Sequence, residues 1–340
     1  LLIYVSRVAA IAASANLLVS YAAPLWSPLA SGTPRTIAVV SYIGLATVLN
    51  AVGVRAGMTV LYLISILKLL PLLLLILVGV PEIEWTTIAG AKIASSEAVG
   101  STMLVLMYAF IGFEFSLINA GETRDARSAI PRTLVKTVLA VAIAYALIQL
   151  IAVSIGPDLG NSETPLVELA QRLMGPAGAL LLSVGVVFSI GGGSLTSLLT
   201  APRLTYALSR DGTLPGWFGA VNERTHVPVN SILFCGALSI ALAVSQQFLW
   251  LATLSTIIRL LTYALCIAAL PVIERKLPTE SGQFRIPGGL AIPGIALVLT
   301  IWLLTHSTLQ SVFITGAIVV VGSIVFGLCT RWERDTNGTD

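Results

Sequence analysis

The feature that most restricts this fold is a series of apolar runs, each of membrane-spanning length and nearly free of charge. From Met58 to Val80 the only charged residue is Lys68. From Leu134 to Ile155 it is Lys136. A helix needs about 20 predominantly apolar residues to cross the hydrocarbon core. By that measure about ten segments qualify as spans. They cover Leu1–Ala23, Thr36–Val54, Met58–Val80, Gly100–Ala120, Leu134–Ile155, Ala177–Leu208, Val229–Val244, Phe248–Val272, Leu290–Leu304 and Leu309–Leu328. The expected fold class is therefore all-α, a polytopic membrane helix bundle.

Composition supports this and excludes the water-soluble classes. The chain is 56% hydrophobic and 10% charged, against about 25% charged in a soluble domain. Its net charge of +3 is accounted for by basic loops. Cys235, Cys266 and Cys329 lie in apolar segments without metal-ligand spacing. They are expected to be small core residues. The two histidines, His226 and His306, sit near segment ends. No metal or other cofactor and no nucleic-acid partner is implied.

Basic residues fall in alternate loops. One set holds Arg55, Arg124, Arg127, Arg132, Lys136, Arg210, Arg224, Arg275, Lys276, Arg285, Arg331 and Arg334. The opposite set holds Arg35, Lys92 and Arg172. By the positive-inside rule the first set is cytoplasmic, which places the C-terminus inside. Between the fifth and sixth spans, Thr164-Pro165 offers an N-cap with proline at the first helical position. Leu166, Leu169 and Leu173 would then line one face of a short amphipathic helix lying on the outer side.

Met103 to Pro131 is the stretch around which the rest is organised. Gly112 and Glu114 interrupt its apolar part well inside the span. Glycine costs about 1 kcal/mol in a helix interior relative to alanine, and a carboxylate at that depth costs several times more. Freed backbone groups in a membrane persist only where protein or a water-lined cavity satisfies them. A helix broken here is a binding-site expectation. Carbonyls of an opened helix at Ala109–Phe113 suit a cationic group such as an ammonium. Tyr108 and Phe110 would wall a pocket beside the opening, with Ile111, Gly112 and Phe113 completing it. The alternative is a glycine kink packed against a neighbour.

Phe110-Ile111-Gly112-Phe113-Glu114, Ala120-Gly121-Glu122 and Ile130-Pro131-Arg132 resemble the sixth transmembrane helix of amino-acid permeases. These belong to the amino acid–polyamine–organocation superfamily. Asp125-Ala126 stands where the family usually has Asn-Pro. Leu204–Pro215 with Pro228-Val229-Asn230 resembles the inner end of the family's eighth helix and the loop after it. Tyr4-Val5-Ser6-Arg7 with Ala15-Asn16-Leu17 resembles the third helix.

The resemblance implies a transporter built from two inverted five-helix repeats. On its register the visible spans are the third to twelfth, so the chain is expected to lack the first two helices. Without them the fragment alone is not expected to transport. Residues 1–330 would form one transmembrane domain, with 331–340 a cytoplasmic tail. Within the domain, 1–80 would be the remainder of the first repeat, 100–272 the second and 290–328 two further helices.

The resemblance also bears on individual residues. In proton-coupled members a lysine on the fifth helix takes the place of sodium. Lys68 lies on the matching helix, about 16 Å into its span at the helical rise, and is expected to lose and regain a proton during the cycle. Its alternative is a static tether. Glu114 is either a gating group or a carboxylate held by neighbouring backbone. Ser194 and Ser197 either face Lys68 or the substrate, or belong to a small-residue packing stripe. Asn16 is a substrate contact or a helix-to-helix bond. Arg7 is expected to reach the inner interface, and Arg259, near mid-span, has no assignment.

The expected function is secondary active transport of amino acids by alternating access, through proton-coupled symport or exchange. The protein would be a multi-pass protein of the plasma membrane, with lipid, amino acid and protons as partners and its oligomeric state open. The rivals are sodium-coupled symport on the same fold, which Lys68 opposes, and a non-transporting scaffold. A membrane-embedded enzyme would need a cluster of His, Asp or Glu at one depth, which the sequence lacks.

Overall fold

The computed structural model describes residues 2–23, 26–53, 58–90, 95–113, 125–162, 164–225, 227–245, 248–276, 289–307, 311–317, 319–324 and 327. Among them all regular structure is helical. The helices are α1 (Leu2–Ala22), α2 (Gly32–Ala51), α3 (Met58–Gly79), α4 (Trp85–Ala89), α5 (Ser96–Phe110), α6 (Ala126–Ile155), α7 (Pro165–Arg210), α8 (Val229–Ser245), α9 (Phe248–Lys276) and α10 (Ala291–Thr305). A further apolar helix covers Ser311–Ile324. Six helices are long and apolar enough to cross a membrane; α5, α8, α10 and Ser311–Ile324 are shorter apolar helices. Each expected span overlaps one of these, and residues 114–120 of the fourth and parts of the tenth lie outside the described residues.

α1 is the centre of the bundle and packs against α9, α7 and α8. Ala9, Ala12, Ala13 and Ala15 have no exposed surface. Small residues let helix backbones approach closely, which is the main source of packing energy where lipid is as apolar as the core. α2 reaches α8 in the same way, because Gly236 leaves room for the Thr47 side chain that a Cβ would overlap. α3 lies against α7, where a Cβ on Gly185 would come within 2.7 Å of Pro71 Cγ.

α7 is two helices joined at Gly175, whose φ of 67° and ψ of −164° are non-helical. Only glycine adopts that conformation without strain. The first piece is the expected short helix. Its Leu166, Leu169 and Leu173 pack with Leu75 of α3 and Ile148 and Ile151 of α6. Its start differs from expectation in one respect. Thr164 is the capping residue, but its side chain makes no capping bond. Instead its N–H donates to Ser162 Oγ at 3.0 Å, and the Ser162 hydroxyl donates to the Glu168 carboxylate. Arg172 clamps Asp158 with two bonds of 2.8 and 2.6 Å. The bonded guanidinium holds the Asp158 carboxyl down at about 2.

Candidate functional site

α5 stops at Phe110. Ile111 turns to extended backbone (φ −65°, ψ 138°), and its N–H donates to the Tyr108 carbonyl at 3.2 Å. Gly112 follows at φ 123°, a region L side chains rarely adopt. The helix therefore ends three residues after Met107 in a tight turn rather than continuing through the apolar run. Glu114 lies outside the described residues.

Two walls face this helix end. On one side the Tyr108 hydroxyl donates to the Ala10 carbonyl of α1 at 3.3 Å, and its ring stands edge-on to Phe248 of α9. Phe113 lies 5.8 Å from Tyr263 of α9, centroid to centroid. On the other side Phe110 meets Tyr145 of α6 at 5.3 Å. The Tyr145 hydroxyl donates to the Ala109 carbonyl at 3.2 Å, so one carbonyl of the helix end already carries a hydrogen bond. Tyr108, Ala109, Phe110, Ile111, Gly112 and Phe113 thus form one locus between α1, α6 and α9.

The other residues singled out in the sequence stand apart from it. Asn16 is buried and donates to Ala12 O at 3.2 Å within α1 and to Ala243 O of α8 at 3.0 Å. It is a helix-to-helix bond in this structure. It also lines a cavity of about 420 Å³ between α1, α2, α8 and α9, together with Arg35 and Trp250. That cavity opens where α1 and α8 end and α2 and α9 begin. Arg35 donates there to Ser20 Oγ at 3.0 Å.

Ser194 is buried beside the Tyr42 hydroxyl of α2. It sits nine positions from Gly185, so at about 100° per residue it occupies the opposite side of α7 from the α3 contact. Among the described residues no hydrogen bond joins Lys68 to Ser194 or to the half-buried Ser197. The Lys68 side chain is itself half-buried, on a stretch of α3 where Ile66 and Leu69 are 60% and 52% exposed.

Two arginines, one expected at the inner interface and the other unassigned, are the most deeply buried cations among the described residues. Arg7 and Arg259 are each 2% exposed. Arg7 does not extend to an interface; its Nη1 donates to Thr200 Oγ1 of α7 at 2.9 Å. Arg259 donates to Ser6 Oγ from Nε at 3.2 Å and from Nη2 at 3.0 Å. Ser6 and Ser255 exchange bonds, Ser6 Oγ to Ser255 O at 3.0 Å and Ser255 Oγ to Ser6 O at 2.9 Å. Arg259 lies within electrostatic reach of Tyr263, Arg7 and Tyr108. Tyr263 is one turn along α9, on the same face. A guanidinium inside a membrane protein is costly and needs hydrogen-bond acceptors. The signal in the sequence was a serine and an arginine early in α1 and another such pair in α9, but only packing shows that they meet. Among the described residues no three His, Cys, Asp or Glu side chains converge on a point that would hold a metal.

The amino acid permease family profile matches residues 2–329. The branched-chain amino acid permease BcaP of Bacillus subtilis (strain 168) is 24% identical over 293 residues, 86% of this chain and 63% of that protein. The serine/threonine exchanger SteT of the same organism is 22% identical over 302 residues, 86% of this chain and 68% of its own. The vacuolar cationic amino acid transporter 4 of Arabidopsis thaliana is 26% identical over 247 residues, 69% of this chain and 40% of its own. The chain thus spans 63% of the length of the first of these relatives. All three bear the names of membrane carriers, not enzymes. With its helical bundle, its spans and a profile match over nearly its whole length, the chain belongs to the amino acid permease family.

Proposed function

We propose that this protein carries amino acids across a membrane by alternating access, with the open end of α5 as the contact for the substrate ammonium. The observation that carries this is the helix end at Phe110–Gly112, which falls within an apolar stretch and is flanked by aromatic rings from α5, α6 and α9. A helix C-terminus concentrates partial negative charge and suits a cation. A discontinuous helix between repeats is where such carriers hold their substrates. Family membership and the names of the relatives support the substrate class. α1 to α3 would belong to the first repeat and α5 to α9 to the second, with α10 and Ser311–Ile324 as additional helices. The C-terminus would be cytoplasmic and the membrane that of the cell surface.

Coupling runs either by proton symport through Lys68 or by exchange; the name of the serine/threonine exchanger supports the latter. Glu114 would gate the site. Uptake of radiolabelled amino acids by the full-length protein in proteoliposomes, with and without a pH gradient, tests both parts. Lys68→Ala should abolish accumulation driven by the gradient and spare exchange. Accumulation equal to wild type would make Lys68 structural. Absence of uptake or exchange for every amino acid tried would end the transport reading.

A further inference from the structure

We infer that the cavity lined by Arg35 and Trp250 is a second amino-acid site, on the face that the basic loops leave outside, and that Arg35 takes the ligand's carboxylate there. The ligand's identity as an amino acid rests on the transport function proposed above. The carboxylate chemistry rests on the cavity itself.

A guanidinium carries five N–H donors, one on Nε and two on each Nη. Both hydrogen bonds of Arg35 leave from Nη2, to Ser20 Oγ at 3.0 Å and to Asn16 O at 3.4 Å. Tying α2 to α1 therefore uses Nη2 alone. Nε and Nη1 have neither an acceptor nor an ion partner among the described residues. Arg35 is also the charged residue of the wall, and no described carboxylate lines it. Arginine keeps its charge throughout the physiological range. Its N–H groups bond a carboxylate more strongly than a neutral acceptor.

The remaining wall fits the rest of an amino acid. Val39, Ala243 and the Trp250 ring supply an apolar side. Val244 and Ser245 bring the C-terminal end of α8 to the cavity, and such an end suits an ammonium. The volume of about 420 Å³ falls in the range of small-molecule sites, about 300–1,000 Å³. A phosphate or a chloride would use Arg35 and leave the apolar side and the helix end idle. Val39 and Ala243 also belong to the packed cluster on which Tyr108 and Phe248 lie. The cavity and the open end of α5 thus share a wall.

The test is protection of a cysteine placed in that wall. Ser245 is exposed, so Ser245→Cys in the purified full-length protein should react with a charged methanethiosulfonate faster than the unsubstituted protein does. Leucine should slow that reaction. So should 4-methylpentanoate, which is leucine without its ammonium. Isoamylamine, which is leucine without its carboxylate, should not. Arg35→Gln, which keeps an amide to reach Ser20, should weaken protection by either carboxylate about tenfold or more. No protection by 4-methylpentanoate, equal protection by the amine, or unchanged protection in Arg35→Gln would overturn the inference and leave amino-acid uptake in proteoliposomes untouched. Protection by inorganic phosphate but by neither carboxylate would overturn it as well. Protection that depends on Arg35, with no uptake of any amino acid, would keep the carboxylate site and remove the transport reading. If Arg35→Gln does not fold, the ligand panel on Ser245→Cys decides alone.

Discussion

α1 and α3 are both about six turns of lipid-compatible sequence with a single cation each, and they do opposite things with it. The span window of α1 has a mean hydropathy of 1.7 and is 61% buried in the protein; that of α3 is more apolar, at 2.0, and only 17% buried. The helix that lipid would favour less is the one the protein encloses. Its alanines and serines give the reason: they have little surface to offer lipid and let three other helices come close. α3 is built of leucines, and Leu63, Leu69, Leu73 and Leu77 face outward. The cations follow their helices. Arg7 is held by a hydroxyl inside the bundle, whereas Lys68 is only half-buried, although it shares a face of α3 with the buried Pro71 and Leu75. Hydropathy therefore identifies a span, but residue size decides whether it is central.

The sharpest way to break this contrast is steric. Ala12→Phe in α1, where the alanine has no exposed surface, should destabilise the protein by about 3 kcal/mol through overpacking. Leu77→Ala in α3, at a side chain 69% exposed, should change stability by less than about 0.5 kcal/mol. Thermal unfolding of the purified protein in detergent measures both, and equal shifts would refute the difference in role.

Next in size is the polar seam. Ser6→Ala removes the acceptor of two Arg259 donors, and a hydrogen bond to a charged group is worth about 1.5–3 kcal/mol. A loss of about 2 kcal/mol is expected in the same assay. Lys68→Met should stay within about 0.5 kcal/mol of wild type. A lysine variant as damaging as the serine one would show that Lys68 holds a structural bond.

Much of this was legible before any coordinates. The spans are local facts, since an apolar run of the right length has one stable form in lipid. The end of α5 was legible because Gly112 and Glu114 fall where a plain span has no use for them. The short helix after Thr164 was legible from Leu166, Leu169 and Leu173. What stayed hidden depends on partners distant in the chain. Asn16 bonds to Ala243, and Arg259 to Ser6; neither pairing has a signature in either segment. The side of α7 that Ser194 occupies was hidden too: it lies beside Tyr42 of α2, a contact with no signature in either segment. At Thr164 the polar partners are arranged differently from a side-chain cap: Ser162 accepts the Thr164 N–H and in turn binds Glu168.

The joint at Gly175 gives a smaller effect. At its φ of 67° an alanine is strained, and Gly175→Ala should cost about 1–2 kcal/mol. No atom lies within 4 Å of a Cβ there, so the whole loss would be conformational. A neutral result in thermal unfolding would mean that the two pieces of α7 can straighten.

The smallest effect is electrostatic and exposed. The Asp158 carboxyl is held at about 2 against an ordinary 3.8. A depressed acid contributes stability above its ordinary value and loses it as pH falls through the folded one. Thermal unfolding of wild type and Asp158→Asn should therefore differ slightly at neutral pH, converge below about 4 and coincide near 2. A difference that persists at pH 2 would assign the effect to something other than Arg172.

The bond from Tyr145 to Ala109 has a consequence in time. It is a hydrogen bond that ties the open end of α5 to α6, and the tyrosine is 36% exposed. A bond of this kind is worth about 0.5–1.5 kcal/mol net, and about 1.4 kcal/mol on a barrier is a factor of ten in rate. If α5 and α6 part during a cycle, this bond alone slows the step by no more than about tenfold. In such a cycle it would be a latch that keeps the two helices in register between openings and releases quickly. Tyr145→Phe should accelerate turnover by up to that factor, and a larger change would mean that the phenol does more than hold the seam.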